Sequence, residues 1–250
     1  MRALPPQAPP RFEIRVLPNA AEAARAAAEE LAAAGADAIT DRGVFRVALS
    51  GGTTPTRLFD TLATARYRRR VDWERTRVFF VDERCVPPSH ERSNYRLAKK
   101  HLLDPLQVPP RNVFRMKGED EPRRAAAAYE KVLRQEFGAR APRFDVVLLG
   151  LGADGHTASL FPGTPALVEK TRWVAPNPAP SAGDWRLTLT LPVLNAGRRV
   201  VFLVAGSDKA SVVSTLLLKK PGYRKLPASR VRPPRGSLVW ILDEEAASDL

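Results

Sequence analysis

Phe144-Asp-Val-Val-Leu-Leu-Gly-Leu-Gly-Ala-Asp-Gly-His-Thr-Ala-Ser-Leu-Phe-Pro162 is the stretch on which the fold turns. Its first six residues form a short apolar run of the kind a fully buried strand carries. Three glycines, an Asp and a His then arrive within seven residues. Glycine admits positive φ and lets a ligand come close to the backbone. In open α/β sheets, ligands sit just past the carboxyl ends of the strands. The stretch therefore predicts Asp154 and His156 at the mouth of a crevice, with Gly152 shaping the turn. Two residues apart, they would not face each other on a helix. Around a glycine-rich turn both can point at one substrate.

Three readings of this turn compete. Gly150-x-Gly152-x-x-Gly155 matches the dinucleotide fingerprint literally, but that pattern alone is weak. The fingerprint needs a helix running on from the turn, whose N-terminus holds pyrophosphate. Here Pro162 stops a helix six residues after His156. The acid expected about 20 residues on, at the tip of a next strand, is also missing, since Glu169 comes early and in no strand-like run. The second reading is a plain turn with a surface His. The third is a catalytic acid/base site, which three glycines and an Asp beside the His favour.

Working outward, strands alternate with helices. Phe12-Glu-Ile-Arg-Val16 alternates like a strand. Asn19 is placed as an N-cap, with Glu22 completing a capping box. Residues 20–34 then form a helix by propensity, ended by Gly35. Val44-Phe-Arg-Val-Ala-Leu49 is the next strand. Ser50-Gly-Gly-Thr-Thr-Pro55 follows, with Pro55 in the first turn of a helix through residue 65. A glycine-rich turn with hydroxyls at a helix N-terminus suits an anion, although without Gly-Lys-Ser/Thr it is no Walker A loop. Arg77-Val-Phe-Phe-Val81 is a buried strand with Asp82-Glu83-Arg84 at its end, read as a site or a solvated turn. Ser93 opens a helix over 93–103. Residues 122–137 read as a helix stopped at Gly138. Short strands are expected around Trp173-Val174 and over 186–191, then a helical turn at 192–196. Strand 199–205 leads into Gly206-Ser-Asp-Lys-Ala210 and a helix to 218. A basic loop spans 219–235, a last strand 237–242, and an acidic tail frays from 243. The pattern predicts a mostly parallel open sheet with helices on both faces, an α/β fold. A flexible Pro-rich tail occupies 1–11, and one catalytic domain 12–250.

Composition narrows the function. Of 250 residues, 44% are hydrophobic, and the chain carries 40 basic against 27 acidic residues, a formal charge of +13. Such a balance raises nucleic acid as a partner. The basic residues are scattered, however, and follow a general Arg- and Ala-rich bias. A positive field also draws in a small anionic substrate. No apolar run is long enough to span a membrane, and the N-terminus lacks a signal-peptide core. No nucleic acid and no membrane are expected, and cytoplasmic residence follows. Cys85 is the single cysteine, so no internal disulfide forms. It has no marked partner base. His90, His101 and His156 are widely spaced and make no zinc pattern. His90 and His101 are read as surface groups.

Gly-x-Asp-Gly-His-Thr-Ala-Ser-Leu-Phe-Pro at 152–162 resembles the signature of the 6-phosphogluconolactonases, whose fold is shared with glucosamine-6-phosphate deaminases. Four more motifs follow the family's order: Ser-Gly-Gly-Thr-Thr-Pro at 50–55, Asp-Glu-Arg with Val-Pro at 82–87, Ser-Asn-Tyr at 93–95, and Gly-x-x-Lys-Ala at 206–210. The resemblance spans roughly residues 44–218. It implies hydrolysis of 6-phosphogluconolactone to 6-phosphogluconate, with a phosphorylated sugar lactone as small-molecule partner and no metal or organic cofactor. His156 takes a proton from water, as an imidazole titrating at about pKa 6.5 can. Asp154 orients the attacking groups or holds the His tautomer. Lys209 and Arg84, with Arg186 behind them, grip the phosphate. Ser50, Gly51, Gly52 and Thr53 face the substrate or oxyanion, and Asp82 and Asn94 complete the site. A monomer or homodimer is expected. Deamination of glucosamine 6-phosphate is the nearest alternative. Deaminases carry a Glu where this chain has Phe161, and Asp-Glu-Tyr where it has Asp82-Glu83-Arg84. A non-catalytic sugar-phosphate sensor would have no use for His156.

Overall fold

The computed structural model describes residues 12–180 and 183–250; the Pro-rich tail assigned to 1–11 lies outside them. The chain runs β1 (Phe12–Leu17), α1 (Ala20–Arg42), β2 (Phe45–Leu49), α2 (Thr53–Ala63), β3 (Thr76–Phe80), β4 (Asp82–Arg84), α3 (Asn94–Ala98), β5 (Val113–Phe114) and α4 (Pro122–Phe137). It continues with β6 (Val146–Leu149), β7 (Val174–Pro178), β8 (Trp185–Leu189), α5 (Leu191–Leu194), β9 (Arg199–Val204), α6 (Ala210–Leu217) and β10 (Ser237–Asp243). Seven strands form one sheet in the order β1-β10-β9-β6-β2-β3-β5, and every pair in it is parallel. The mostly parallel α/β sheet is thus the observed architecture.

The continuous apolar strands follow from burial on both faces. Val47, Leu49, Val78, Phe80, Leu148, Val201 and Ile241 point into a core with the Ala-rich face of α1 and with Leu58, Phe59 and Leu62 of α2. The alternate residues Ala48, Phe79, Val147, Leu149, Phe202 and Trp240 point into the other core, with α4, α6 and a second sheet. That second sheet, β4-β8-β7, is antiparallel.

The structure departs from the sequence expectations in five places. Asn19 caps α1 by accepting from the amides of Ala21 and Glu22, while Glu22 pairs with Arg25. The helix does not stop at Gly35. It continues to Arg42 and ends at Gly43, whose φ of 73° fits the left-handed cap. Gly35 is an interior close-approach residue, since a Cβ there would lie 3.2 Å from the Phe45 ring. Asp82-Glu83-Arg84 is a strand rather than a turn. The helix opened by Ser93 changes from α to π at Lys99. The C-terminal tail is held rather than frayed. Asp243 is buried and accepts from the amides of Gly206 and Ala246, Ala246 is fully buried, and Ser214 Oγ donates to the Asp249 carbonyl.

Candidate active site

β6 and β2 are neighbours in the middle of the sheet, yet the chain leaving β2 goes outward to β3 and the chain leaving β6 passes through the small sheet to β9. Such a divergence opens a crevice at the carboxyl ends of the strands. A cleft of about 360 Å³ lies there. Ser50, Gly51, Gly52, Thr53, Asp82, Arg84, Asn94, Gly152, His156, Arg186 and Lys209 all line it. Asp154 stands behind His156. The residues singled out in the sequence, spread over 160 positions of chain, meet at one place.

The His156 turn is built by its glycines. The Gly152 amide donates to the His156 carbonyl at 2.9 Å, and the Gly155 amide to the Gly152 carbonyl at 2.9 Å. Gly155 has a φ of 76°. This tight loop brings Asp154 Oδ1 to 2.5 Å from His156 Nδ1, and the same oxygen accepts the His156 amide at 3.1 Å. A Cβ on Gly152 would fall 2.0 Å from His156 Nδ1, so only glycine permits the pair. Partial burial works to raise the Asp154 pKa, but the His156 amide, ring and charge outweigh it and hold the carboxyl below its ordinary range. With Nδ1 engaged, Nε2 is the ring nitrogen left for the cleft. The Phe161 ring packs on the imidazole, 4.6 Å between centroids.

The Ser50 turn forms the opposite wall. A Cβ on Gly51 would lie 1.7 Å from Asn94 Oδ1, so glycine lets this turn press against α3. Gly52, with a φ of 107°, opens α2 without a side-chain cap. The first turn of that helix thus has no side-chain cap, and Gly52, Thr53 and Thr54 line the cleft, an arrangement that favours negative charge. Ser50 Oγ is buried with no hydrogen-bond partner among the described residues.

The cationic wall comes from the small sheet. Arg84 of β4 and Arg186 of β8 are direct cross-strand partners. Like charges directly opposite each other destabilise a sheet. Burial first, and then the charge of Arg84, hold the Arg186 pKa below its ordinary value, with Asp82 opposing. Arg186 Nη1 is buried with no partner among the described residues, and Arg84 donates to Asn94 Oδ1. An anion between these guanidinium groups would satisfy both. Lys209 ends the short turn before α6, with Nζ 2.8 Å from Asp208 Oδ2. The Asp243 carboxylate holds this turn through Gly206.

Residues that sequence reasoning left without a role hold the site together. Ser159 Oγ donates to Asp82 Oδ2 at 2.6 Å, and Asn94 Nδ2 donates to Asp82 Oδ1 at 3.1 Å. Asp82 thus ties the His156 segment to α3. Buried Glu83 accepts from the amides of Arg84, Asn94 and Tyr95 and from Ser93 Oγ. Its burial raises its pKa despite those four donors. Ser159 sat inside the quoted motif and Glu83 inside Asp-Glu-Arg, but only the fold shows their contacts. His101 pairs with Asp60 on the surface, and His90 Nδ1 accepts the Arg92 amide. Burial pushes the Cys85 thiol up to about 11, which leaves it a poor nucleophile. Among the described residues no three His, Cys, Asp or Glu side chains gather as metal ligands, and no helix is long and apolar enough to cross a membrane.

A cleft at the carboxyl ends of a parallel α/β sheet, with a His–Asp pair on one wall and paired arginines on another, suits an α/β enzyme that does acid/base chemistry on an anionic substrate. The family model for glucosamine-6-phosphate isomerases and 6-phosphogluconolactonase matches residues 18–240, and the chain belongs to that family. Among its relatives, a 6-phosphogluconolactonase of Synechocystis is 41% identical over 217 residues, 85% of this chain and 88% of that protein. The human 6-phosphogluconolactonase is 42% identical, with 82% of this chain and 81% of the relative covered. The solved structure of the 6-phosphogluconolactonase from Trypanosoma cruzi superposes with a TM-score of 0.86 at 31% identity, over 98% of each chain.

Proposed function

We propose that this chain hydrolyses 6-phosphogluconolactone to 6-phosphogluconate, the second step of the oxidative pentose phosphate pathway, by His-assisted attack of water. The observation that carries the mechanism is the His156–Asp154 pair, 2.5 Å apart, on the same cleft as the cross-strand arginines. Asp154 fixes the tautomer in which Nε2 accepts a proton. His156 takes that proton from water as the oxygen bonds to the lactone carbonyl carbon. The carbonyl electron pair moves onto oxygen, where the uncapped amides at Gly52–Thr53 and the unpartnered Ser50 hydroxyl suit an oxyanion. The oxyanion then re-forms the carbonyl, the ring C–O bond breaks, and the imidazolium returns its proton to the leaving oxygen. Arg84, Arg186 and Lys209 hold the phosphate. General base help of this kind is worth about 10²–10⁴ in rate.

Phe161, rather than a carboxylate, lies on the His156 ring, which favours lactone opening over the deaminase reaction. The reading includes cytoplasmic residence and a monomer or homodimer. The test is the decay of freshly made 6-phosphogluconolactone with and without protein, in excess chelator. Because the lactone opens unaided, the difference counts. A large chelator-resistant acceleration is expected; none would overturn the proposal and direct attention to glucosamine 6-phosphate.

A further inference from the structure

The chain between α6 and β10, residues 219–235, reaches back to the catalytic turn. The Ala228 amide donates to the Gly155 carbonyl at 3.0 Å. Two residues earlier, the Leu226 side chain lies flat on Gly155, where a Cβ would come within 2.8 Å of both Leu226 Cβ and Cδ2. Gly155 is the residue immediately before His156. The segment is anchored on both sides of this contact. Its start is tied to α6 by the Lys220 amide on the Thr215 carbonyl, 3.0 Å. Its end is tied to Asn195, which accepts the Arg232 amide at 2.6 Å and donates to the Arg230 carbonyl at 3.0 Å.

We infer that Leu226 is a positioning residue for His156. A five-residue glycine turn has many conformations within reach. The turn's own bonds close it and Ser159, bonded to Asp82, Thr188 and Asn177, fixes its exit, while its Gly155 side is met by the 219–235 segment. Leu226 and the Ala228 amide hold Gly155 while Phe161 packs on the ring, so the turn is held at the residue before His156 and at the imidazole itself. Because the segment also continues from α6, whose start carries Lys209, it links the His156 turn to that side of the cleft. Positional errors of about 1 Å at a reacting group cost on the order of 10² in rate.

The inference deepens the lactonase reading and rests on it for the kinetic readout alone. Leu226→Ala is expected to lower kcat for 6-phosphogluconolactone roughly 10- to 100-fold with KM within about twofold of wild type. Leu226→Met should restore most of the loss by refilling the contact. The second readout needs no substrate. The ring resonances of His156, assigned by their disappearance in His156→Ala, are compared by NMR at one fixed pH. Loosening the Asp154 contact weakens the hydrogen bond at Nδ1, so the ring nitrogen shifts should move in Leu226→Ala and return in Leu226→Met. Asp82, Arg84, Arg186 and Lys209, the other charged groups on the cleft, are unaltered in both variants. Should Leu226→Ala fail to fold, Leu226→Val is the milder substitute. An unchanged kcat with unmoved His156 ring shifts, or a loss of thermal stability alone, overturns the inference. A wild type with no lactonase activity whose His156 ring shifts still move in Leu226→Ala would sink the functional reading and keep the positioning role.

Discussion

The seven-stranded sheet and the three-stranded sheet contribute to the same cleft in different ways. On the parallel sheet, each contribution is local: a strand ends, a glycine turn follows, and the functional group sits on the turn. Ser50–Thr53 follow β2, Asp154 and His156 follow β6, and Lys209 follows β9. On the antiparallel sheet the contribution is a matter of register. Arg84 and Arg186 are 102 residues apart in sequence and meet because Asp82 pairs with Thr188 and Glu83 with Leu187. On the proposed reading the first sheet supplies the acid/base chemistry. The second supplies a repulsive cationic pair that an anionic substrate would relieve.

The division can be broken most severely at His156. His156→Ala should lose about 10²–10⁴ in kcat, with circular dichroism and melting temperature unchanged; near wild-type turnover would remove the base. At Arg186 the expected effects have opposite signs. Arg186→Met removes one of two facing like charges, so the unliganded protein should be no less stable than wild type and up to about 1 kcal/mol more so. Inorganic phosphate should raise the melting temperature of wild type and not of the variant. A destabilised, still phosphate-responsive variant would mean that the arginines are structural. Lys209 lies on the parallel-sheet side but is proposed to serve binding, so Lys209→Ala should raise KM severalfold with kcat retained; a pure kcat effect would assign it to the chemistry.

The smallest expected effect concerns the support beneath the cationic wall. Glu83→Gln puts an amide donor against four donors, at a cost of about 1–3 kcal/mol in urea unfolding. Burial raises the Glu83 pKa, so the folded protein holds that proton more tightly than the unfolded chain. Its contribution is full below the ordinary value of 4.5 and is lost as pH rises through the folded value. The gap between wild type and Glu83→Gln should therefore narrow over that window. A gap that widens would contradict the assignment.

The same contrast explains what the sequence revealed. The parallel sheet was legible because buried strands are short apolar runs and the turns after them carry glycines. Local chemistry announced both strand and site. Arg84 and Arg186 drew attention singly, but no local pattern tells that they face each other. The π segment after α3 and the path of α1 past Gly35 were likewise decided by tertiary packing: Phe45 needs a glycine opposite it, and propensity alone reads that glycine as a stop. The C-terminal residues look like an acidic tail until Asp243 finds the Gly206 amide. Leu226 lies in a basic, proline-containing loop with nothing in its neighbours to mark it, and it gains a role only through contact with Gly155.

The most direct test of the shared cleft is the ratio of kcat/KM for 6-phosphogluconolactone to that for unphosphorylated gluconolactone, measured in wild type and in Arg186→Met. If the small sheet holds the phosphate while the parallel sheet does the chemistry, the ratio should fall at least about tenfold, the cost of roughly 1.4 kcal/mol of transition-state binding. The rate on the unphosphorylated lactone should stay near wild type. An equal loss on both substrates would contradict the account by placing Arg186 in the chemical step rather than in the grip on the phosphate.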